Sequence, residues 1–291
     1  MKDTTILDKT STVIIMTACV LLCIVTLYPF IYVLAYALSD SMTAMVTQIT
    51  LFPVNFTFDN FLFVLDNPAI GRAFFISVAR TALGIAYALI ITGLAAYAIS
   101  KEKLVGKRAI TIFLIIPMYV SGGLIPYYVL IHQIGLFNNF LVYILPHGFW
   151  AFNMLIMRTY FQTIPSSLEE QAQIDGAGPL TIFFRIIVPL SMPIVATISI
   201  FVGVWHWNSW FDGMLFMTKR ELIPMQTLMQ RLLVENFTTD IFARISQTAS
   251  VASPESVKMA MIIVTTVPVI CIYPFFQKYF IKGVMIGAVK A

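Results

Sequence analysis

Ile164-Pro165-Ser166-Ser167-Leu168-Glu169-Glu170-Gln171-Ala172-Gln173-Ile174-Asp175-Gly176-Ala177-Gly178-Pro179 reads as a short helix with a marked start and a hard stop. Ser166 with Glu169, or Ser167 with Glu170, fits a capping box, in which hydroxyl and carboxylate satisfy orphan N–H groups of the first turn. Acidic residues there also suit the positive end of the helix dipole. Gly176 falls where a residue just past a helix adopts a left-handed conformation, and Gly178-Pro179 blocks simple continuation. A second helical run, Leu180 to Val188, leads through Pro189 and Pro193 into the next apolar segment. The stretch predicts a compact helix-turn-helix whose first arm is a peg roughly 10 Å long. A loop of this length needs caps and turns merely to fold, so local chemistry leaves its purpose open.

On both sides of this loop the chain is apolar. Of 291 residues, 59% are hydrophobic and 11% charged, against roughly 45–50% and about 25% in soluble domains. Mean hydropathy is +0.88. Such a chain belongs in hydrocarbon, and a soluble enzyme is excluded. Spanning a bilayer takes about 20 apolar residues, and six runs qualify: 13–38, 74–100, 110–131, 140–157, 192–216 and 257–280. Pro29, Pro117, Pro126, Pro146, Pro268 and Pro274 lie within them and read as kinks. The first run is too long for a secretory signal and lacks a small-residue cleavage site after Tyr28-Pro29-Phe30. Together these features predict an all-α membrane protein, a single transmembrane domain over 1–291.

Counting Lys and Arg on alternate sides of the six runs gives eleven on one side and six on the other, with Arg80 inside the second run. By the positive-inside rule both termini and the loop 158–191 are cytoplasmic, and 39–73 and 217–256 face outward. The basic residues sit beside apolar segments instead of forming one stripe, so nucleic acid is not a partner. Cys19, Cys23 and Cys271 lie inside apolar runs without metal spacing. His132, His147 and His206 are scattered, and the methionines read as adaptable packing. No nucleotide-binding glycine loop, no internal repeat and no catalytic constellation is present. Whatever drives this protein must come from outside it.

The loop carries a resemblance. Glu170-Gln171-Ala172 followed by Asp175-Gly176-Ala177, then Phe183 or Phe184, Ile187, Pro189 and Pro193, is similar in order, spacing and position to the EAA loop of binding-protein-dependent ABC importer permeases. It departs at Gln171, where the family usually has alanine. Six runs, a length near 290, the basic tail Gln277 to Lys290 and the run Trp205-His206-Trp207-Asn208-Ser209-Trp210 resemble the carbohydrate branch, maltose-type, and within it the subgroup for complex oligosaccharides.

The resemblance implies a type I ABC importer permease fold with a cytoplasmic coupling loop over about 158–191. It implies a second permease subunit as heterodimer, two cytoplasmic ATPase subunits holding ATP and magnesium, an extracytoplasmic solute-binding protein, and a bacterial cytoplasmic membrane. The segment Glu221 to Val234, with Ile223-Pro224-Met225-Gln226-Thr227-Leu228, resembles a family feature near the binding-protein docking surface. This chain itself carries no cofactor, no metal and no catalytic residue. ATPase coupling is expected at Glu170, Ala172, Asp175, Gly176 and Ala177, with Glu170 pairing to a base on the ATPase and Asp175 bracing the turn.

Polar groups inside apolar runs are costly and default to a watery path or a bundle interior. Arg80, His147, Asn153, His206, Asn208, Ser209 and Asp212 are the candidates. Trp205, Asn208, Ser209 and Asp212 recur at i, i+3, i+4 and i+7, one helical face suited to sugar, because an aromatic ring stacks on C–H faces beside hydrogen-bonding groups. An interfacial belt is the other reading of Trp205, Trp207 and Trp210. Tyr87, Tyr119, Tyr127 and Tyr128 are cavity or packing residues. A cation such as Arg80 or His206 in the path favours an acidic sugar such as a uronate oligomer. The alternatives are a permease for peptide, amino acid or phosphate, an ion-coupled secondary transporter, and an intramembrane enzyme. The last two want intramembrane charges, internal symmetry or a catalytic cluster that the chain lacks.

Overall fold

A computed structural model describes residues 6–234 and 253–288. The tail residues 289–291 and residues 235–252 lie outside the described residues, as do the side chains of the basic tail from Gln277 onward. Every regular element among the described residues is helical, apart from one isolated bridge between Ser39 and Phe56. The chain forms two compact units, residues 1–71 with 231–267 and residues 72–230 with 268–291.

The first unit holds α1 (Ile6–Ala37), α2 (Ser41–Val46) and α3 (Asp59–Leu65). Apolar residues dominate α1 all round, and its side chains from Ser11 to Phe30 are exposed, as befits a helix whose solvent is lipid or another membrane subunit. After α1 the chain turns on buried Asn60, whose Nδ2 donates to the carbonyls of Ala37 and Ser39 at 2.9 Å each and whose Oδ1 accepts from Ser41 Oγ at 2.7 Å. One amide side chain thus satisfies three groups that have no water to turn to. Asp40 caps α2 by accepting from Thr43 N and Oγ1, contacts that hold its carboxyl below the usual carboxylate range.

The second unit is built on α4 (Pro68–Ser100) from Arg72 onward. Against it pack α7 (Ala151–Phe161), α9 (Pro179–Leu190) and α10 (Met192–Asn208), sharing a core of Ala88, Ala96, Tyr97, Met154, Met157, Phe183, Ile187, Ile198 and Val202. Small residues let the backbones meet. A Cβ built on Gly84 would stand 2.4–2.7 Å from three atoms of the His206 ring, too close for any side chain, so glycine is what lets α4 approach α10 here. Between these elements run α5 (Lys107–Ile115), α6 (Leu124–Gln133) and α8 (Ser166–Ile174). After α10 come α11 (Phe211–Phe216), α12 (Met225–Val234) and α13 (Pro254–Ala288).

Among the described residues, three helical stretches are long and apolar enough to cross a membrane: Ser11–Ala37, Pro68–Ser100 and Pro254–Ile272. Two more arise if bent pairs count as one span, 140–147 with α7 at 50° and α9 with α10 at 87°. The third apolar run is interrupted. Its first half ends in a 3-10 turn at Ile116–Met118, and Ser121-Gly122-Gly123, with Gly123 at φ +84°, separates it from α6. Pro29, Pro268 and Pro274 do lie inside long helices. Pro117 and Pro146 instead sit in 3-10 turns at interruptions, because a residue without N–H is best placed where the α ladder has already stopped. The fifth run is likewise two helices, with Ser209 in an extended conformation between them.

Candidate functional site: a braced helical peg and an aromatic groove

The loop folds as a nine-residue helix, α8, about 14 Å long at 1.5 Å per residue. Its C-terminal stop is complete. Gly176 takes φ +81°, its N–H reaches the carbonyl of Gln173 at 3.0 Å, and Ala177 N–H reaches that of Ala172 at 2.9 Å. These two bonds form a Schellman motif. The N-terminal capping box is not formed: Pro165 is the cap residue, with φ −58° and ψ 129°, and no side chain caps the first turn. Proline's fixed φ sets the chain entry by itself, and Glu169 is turned elsewhere.

Glu169 Oε2 accepts from Lys101 Nζ and, at 3.1 Å, from the Tyr97 hydroxyl. Lys101 Nζ also lies 3.9 Å from the centroid of the Tyr97 ring. Tyr97 lies in the last turn of α4 and Lys101 directly follows it, so the helix predicted as self-capped is braced by another element. Of the residues singled out for coupling, Ala172 and Ala177 are half-buried against the core of the second unit. Glu170, Asp175 and Gly176 are exposed, beside exposed Leu168, Ile174 and Leu180. One face of the peg grips its own unit, and the other offers an acid among apolar side chains. Following it, α9 contains a π turn over Phe183–Ile187 and meets α10 nearly at a right angle.

At the other end of α10 is a groove of about 570 Å³ lined by Phe201, Val204, Trp205, Asn208, Ser209 and Trp210 among others. Trp205, Asn208 and Ser209 therefore come together as one wall. Asp212 does not join them. The helix stops at Asn208, and on α11 Asp212 is buried and pairs with Arg80 of α4, Nη2 to Oδ2 at 2.5 Å and Nη1 to Oδ1 at 3.2 Å. Arg80 Nη1 also donates to the Ser209 carbonyl at 3.2 Å, and its guanidinium carbon stands 4.4 Å from the Tyr143 ring centroid. Asp212 Oδ1 accepts further from Ser209 Oγ and Gly213 N–H. Arg80 has no exposed surface, and its charge is spent on Asp212. The cation argument for an acidic sugar thereby fails: neither Arg80 nor the equally buried His206 reaches the groove.

Behind the wall, Trp205 packs on His147 (4.4 Å) and Trp150 (5.0 Å), whose indole N–H donates to the His147 carbonyl. Trp207 is buried edge-on to Phe74, while Trp210 is exposed at the groove mouth. Asn153 is buried on α7. Tyr127 lines a separate cavity of about 520 Å³ with Ser121, Gly122 and Gly123, and packs on Phe216. The bracing roles of Tyr97, Lys101 and Glu169 escape sequence reasoning. The Arg80–Asp212 pair was discoverable, since two opposite charges inside apolar runs have strong reason to meet.

The groove, walled by tryptophans with amide and hydroxyl groups, lies on the same unit as the braced peg. Residues 93–286 match the family of binding-protein-dependent transport system inner membrane components. The chain belongs to that family. The permease is 34% identical over 269 residues to the polygalacturonan/rhamnogalacturonan transport system permease protein YtcP of Bacillus subtilis strain 168, covering 92% of this chain and 93% of that one. Among solved structures it is similar to a bacterial ABC transporter involved in the import of the acidic polysaccharide alginate, at 28% identity and a TM-score of 0.89, covering 96% and 100% of the two chains. A bacterial alginate ABC transporter in complex with an alginate pentasaccharide-bound periplasmic protein shares the fold, at 17% identity and a TM-score of 0.56, with 93% and 95% covered. The permease is a transport component of the membrane.

Proposed function

We propose that this permease is one membrane-spanning half of an ATP-driven importer of oligosaccharides, working by alternating access in the bacterial cytoplasmic membrane with both termini inside. The observation that carries the cargo class is the groove wall of Trp205, Trp210, Asn208 and Ser209: indole faces suit sugar C–H surfaces, and the amide and hydroxyl suit sugar hydroxyls. Relatives that handle galacturonans and alginate make a uronate oligomer the first cargo to try. With no cation among the described residues of this wall, discrimination of the carboxylate falls to the second permease and the binding protein.

The remaining assembly follows from what the chain lacks. A second permease would cover α1 and close the groove, two ATPase subunits would supply ATP and magnesium chemistry, and an extracytoplasmic binding protein would deliver cargo to the outer segments. On the cytoplasmic side, α8 would seat in a cleft of the ATPase, Glu170 pairing with a base there and Leu168, Ile174 and Leu180 burying apolar surface. A desolvated pair is expensive to break and holds the contact through the cycle. Asp175 and Gly176 present the peg; rigid-body motion of packed helices does the rest.

Uptake by the full complex in proteoliposomes tests this. Labelled tri- to pentagalacturonate should enter with ATP and binding protein, and phosphate, dipeptide and amino acids should not. Glu170→Lys should abolish uptake without loss of membrane insertion, and Trp205→Ala should raise the sugar concentration for half-maximal uptake about tenfold, the loss of roughly 1.4 kcal/mol of stacking. Uptake by the chain alone, or without ATP, would return the reading to a secondary transporter.

A further inference from the structure

We infer that α4 is a rod that carries the motion of α8 to the groove, gripped at one end by Lys101 and Tyr97 and at the other by Arg80. The inference rests on the reading of α8 as the ATPase contact. Glu169 and Glu170 are neighbours about 100° apart on α8, and they face different ways. Glu170 is exposed, whereas the Glu169 side chain retains 15% exposure and is held by Tyr97 of α4 and by Lys101, the residue that directly follows α4. The grip is seated firmly: Tyr97 is buried, its ring 5.3 Å from that of buried Phe183 on α9, and Ala172 and Ala177 pack into the same core. A displacement of α8 therefore acts on α4 through a charged, hydrogen-bonded joint across 68 residues of chain, as well as on its covalent neighbours.

From Tyr97 to Arg80 is a continuous helix, about 26 Å at 1.5 Å per residue. There α4 holds the end of α10 and the start of α11 at the groove, through the Ser209 carbonyl and the Asp212 carboxylate. Ser209 is itself a groove residue. Shift or rotation of the rod moves the break at 209–210 and with it the wall that carries Trp205 and Trp210. Lys101, Tyr97 and Glu169 are thus positioning residues, acting on cargo through Arg80 and the helix break.

The test reads the groove directly and needs no cargo. In the full importer, with Cys19, Cys23 and Cys271 replaced by serine, Asn208→Cys is labelled by a charged maleimide with and without vanadate trapping of the ATPase. Trapping should change the labelling rate at least threefold in this background. Lys101→Glu and Glu169→Lys should each reduce that change to less than 1.5-fold while ATP hydrolysis stays within twofold, and the double exchange Lys101→Glu/Glu169→Lys should restore it. Glu169→Gln, which keeps the Tyr97 hydrogen bond, should lie between. A purely structural role would lower assembly, hydrolysis and labelling together and gain nothing from the exchange. Single variants that respond as the background does, a parallel loss of hydrolysis, or an exchange no better than the singles overturns the rod. Failure of the underlying reading registers separately: if Glu170→Cys does not cross-link to the ATPase, the peg and the rod both fall, whereas a normal cross-link with fully responsive single variants removes the rod alone.

Discussion

Gly176 stands at φ +81° with open space where a Cβ would be. Alanine there meets no atom of this chain, so its cost is that of left-handed backbone, about 1–2 kcal/mol. Gly176→Ala should therefore insert and fold normally, while amide exchange at the end of α8 accelerates about tenfold, 1.4 kcal/mol being a factor of ten. An unchanged exchange rate would mean that the Schellman turn does not hold the helix end. That glycine was legible in the sequence because the left-handed preference is a property of one residue and its immediate flanks. Glu169 was not. A serine three residues before a glutamate looks the same whether the acid folds back on its own helix or reaches Lys101, and the deciding partner lies 68 positions away. Ala172 and Ala177 show the same limit: their smallness suggests a close approach, but only the fold says to what.

At the scale of elements, periodicity assumes a helix that continues. The spacing of Trp205, Asn208, Ser209 and Asp212 defines one face only if residues 205–212 form unbroken turns, and the chain instead breaks at Ser209. Hydropathy averaged over the run could not reveal the break, since the stretches flanking these few polar residues, up to Val204 and from Met214 to Met217, are mainly apolar. Three of the four residues still share the groove because they precede or cap the break, and the fourth is turned to Arg80. This pairing makes a graded prediction. Arg80→Met leaves the Asp212 carboxylate buried and uncompensated, which should cost about 3–5 kcal/mol, whereas Arg80→Met with Asp212→Leu removes both charges and should recover most of it. Thermal unfolding of the detergent-solubilised importer checks the order. If the double variant is as unstable as Arg80→Met, the pair is not what holds α11 to α4.

For the molecule as a whole, the fold class was readable from composition, since a chain with so few charges has only helices or closed barrels open to it in a bilayer. The exposure of α1 extends that argument. Its side chains from Ser11 to Phe30 are exposed, Cys19 and Cys23 among them, as is Cys271 in α13. In water such a surface would aggregate; in a membrane it is satisfied by lipid or by another subunit. Exposure in the isolated chain and exposure to water are thus different quantities, and thiol chemistry separates them. In native membrane vesicles opened to both sides, a charged maleimide should leave Cys19, Cys23 and Cys271 unmodified, since hydrocarbon excludes the reagent from residues that the chain itself leaves uncovered. After denaturation in SDS all three should react. Rapid labelling of Cys19 or Cys23 in intact membranes would place α1 in an aqueous environment, and the first apolar run would then no longer count as a span.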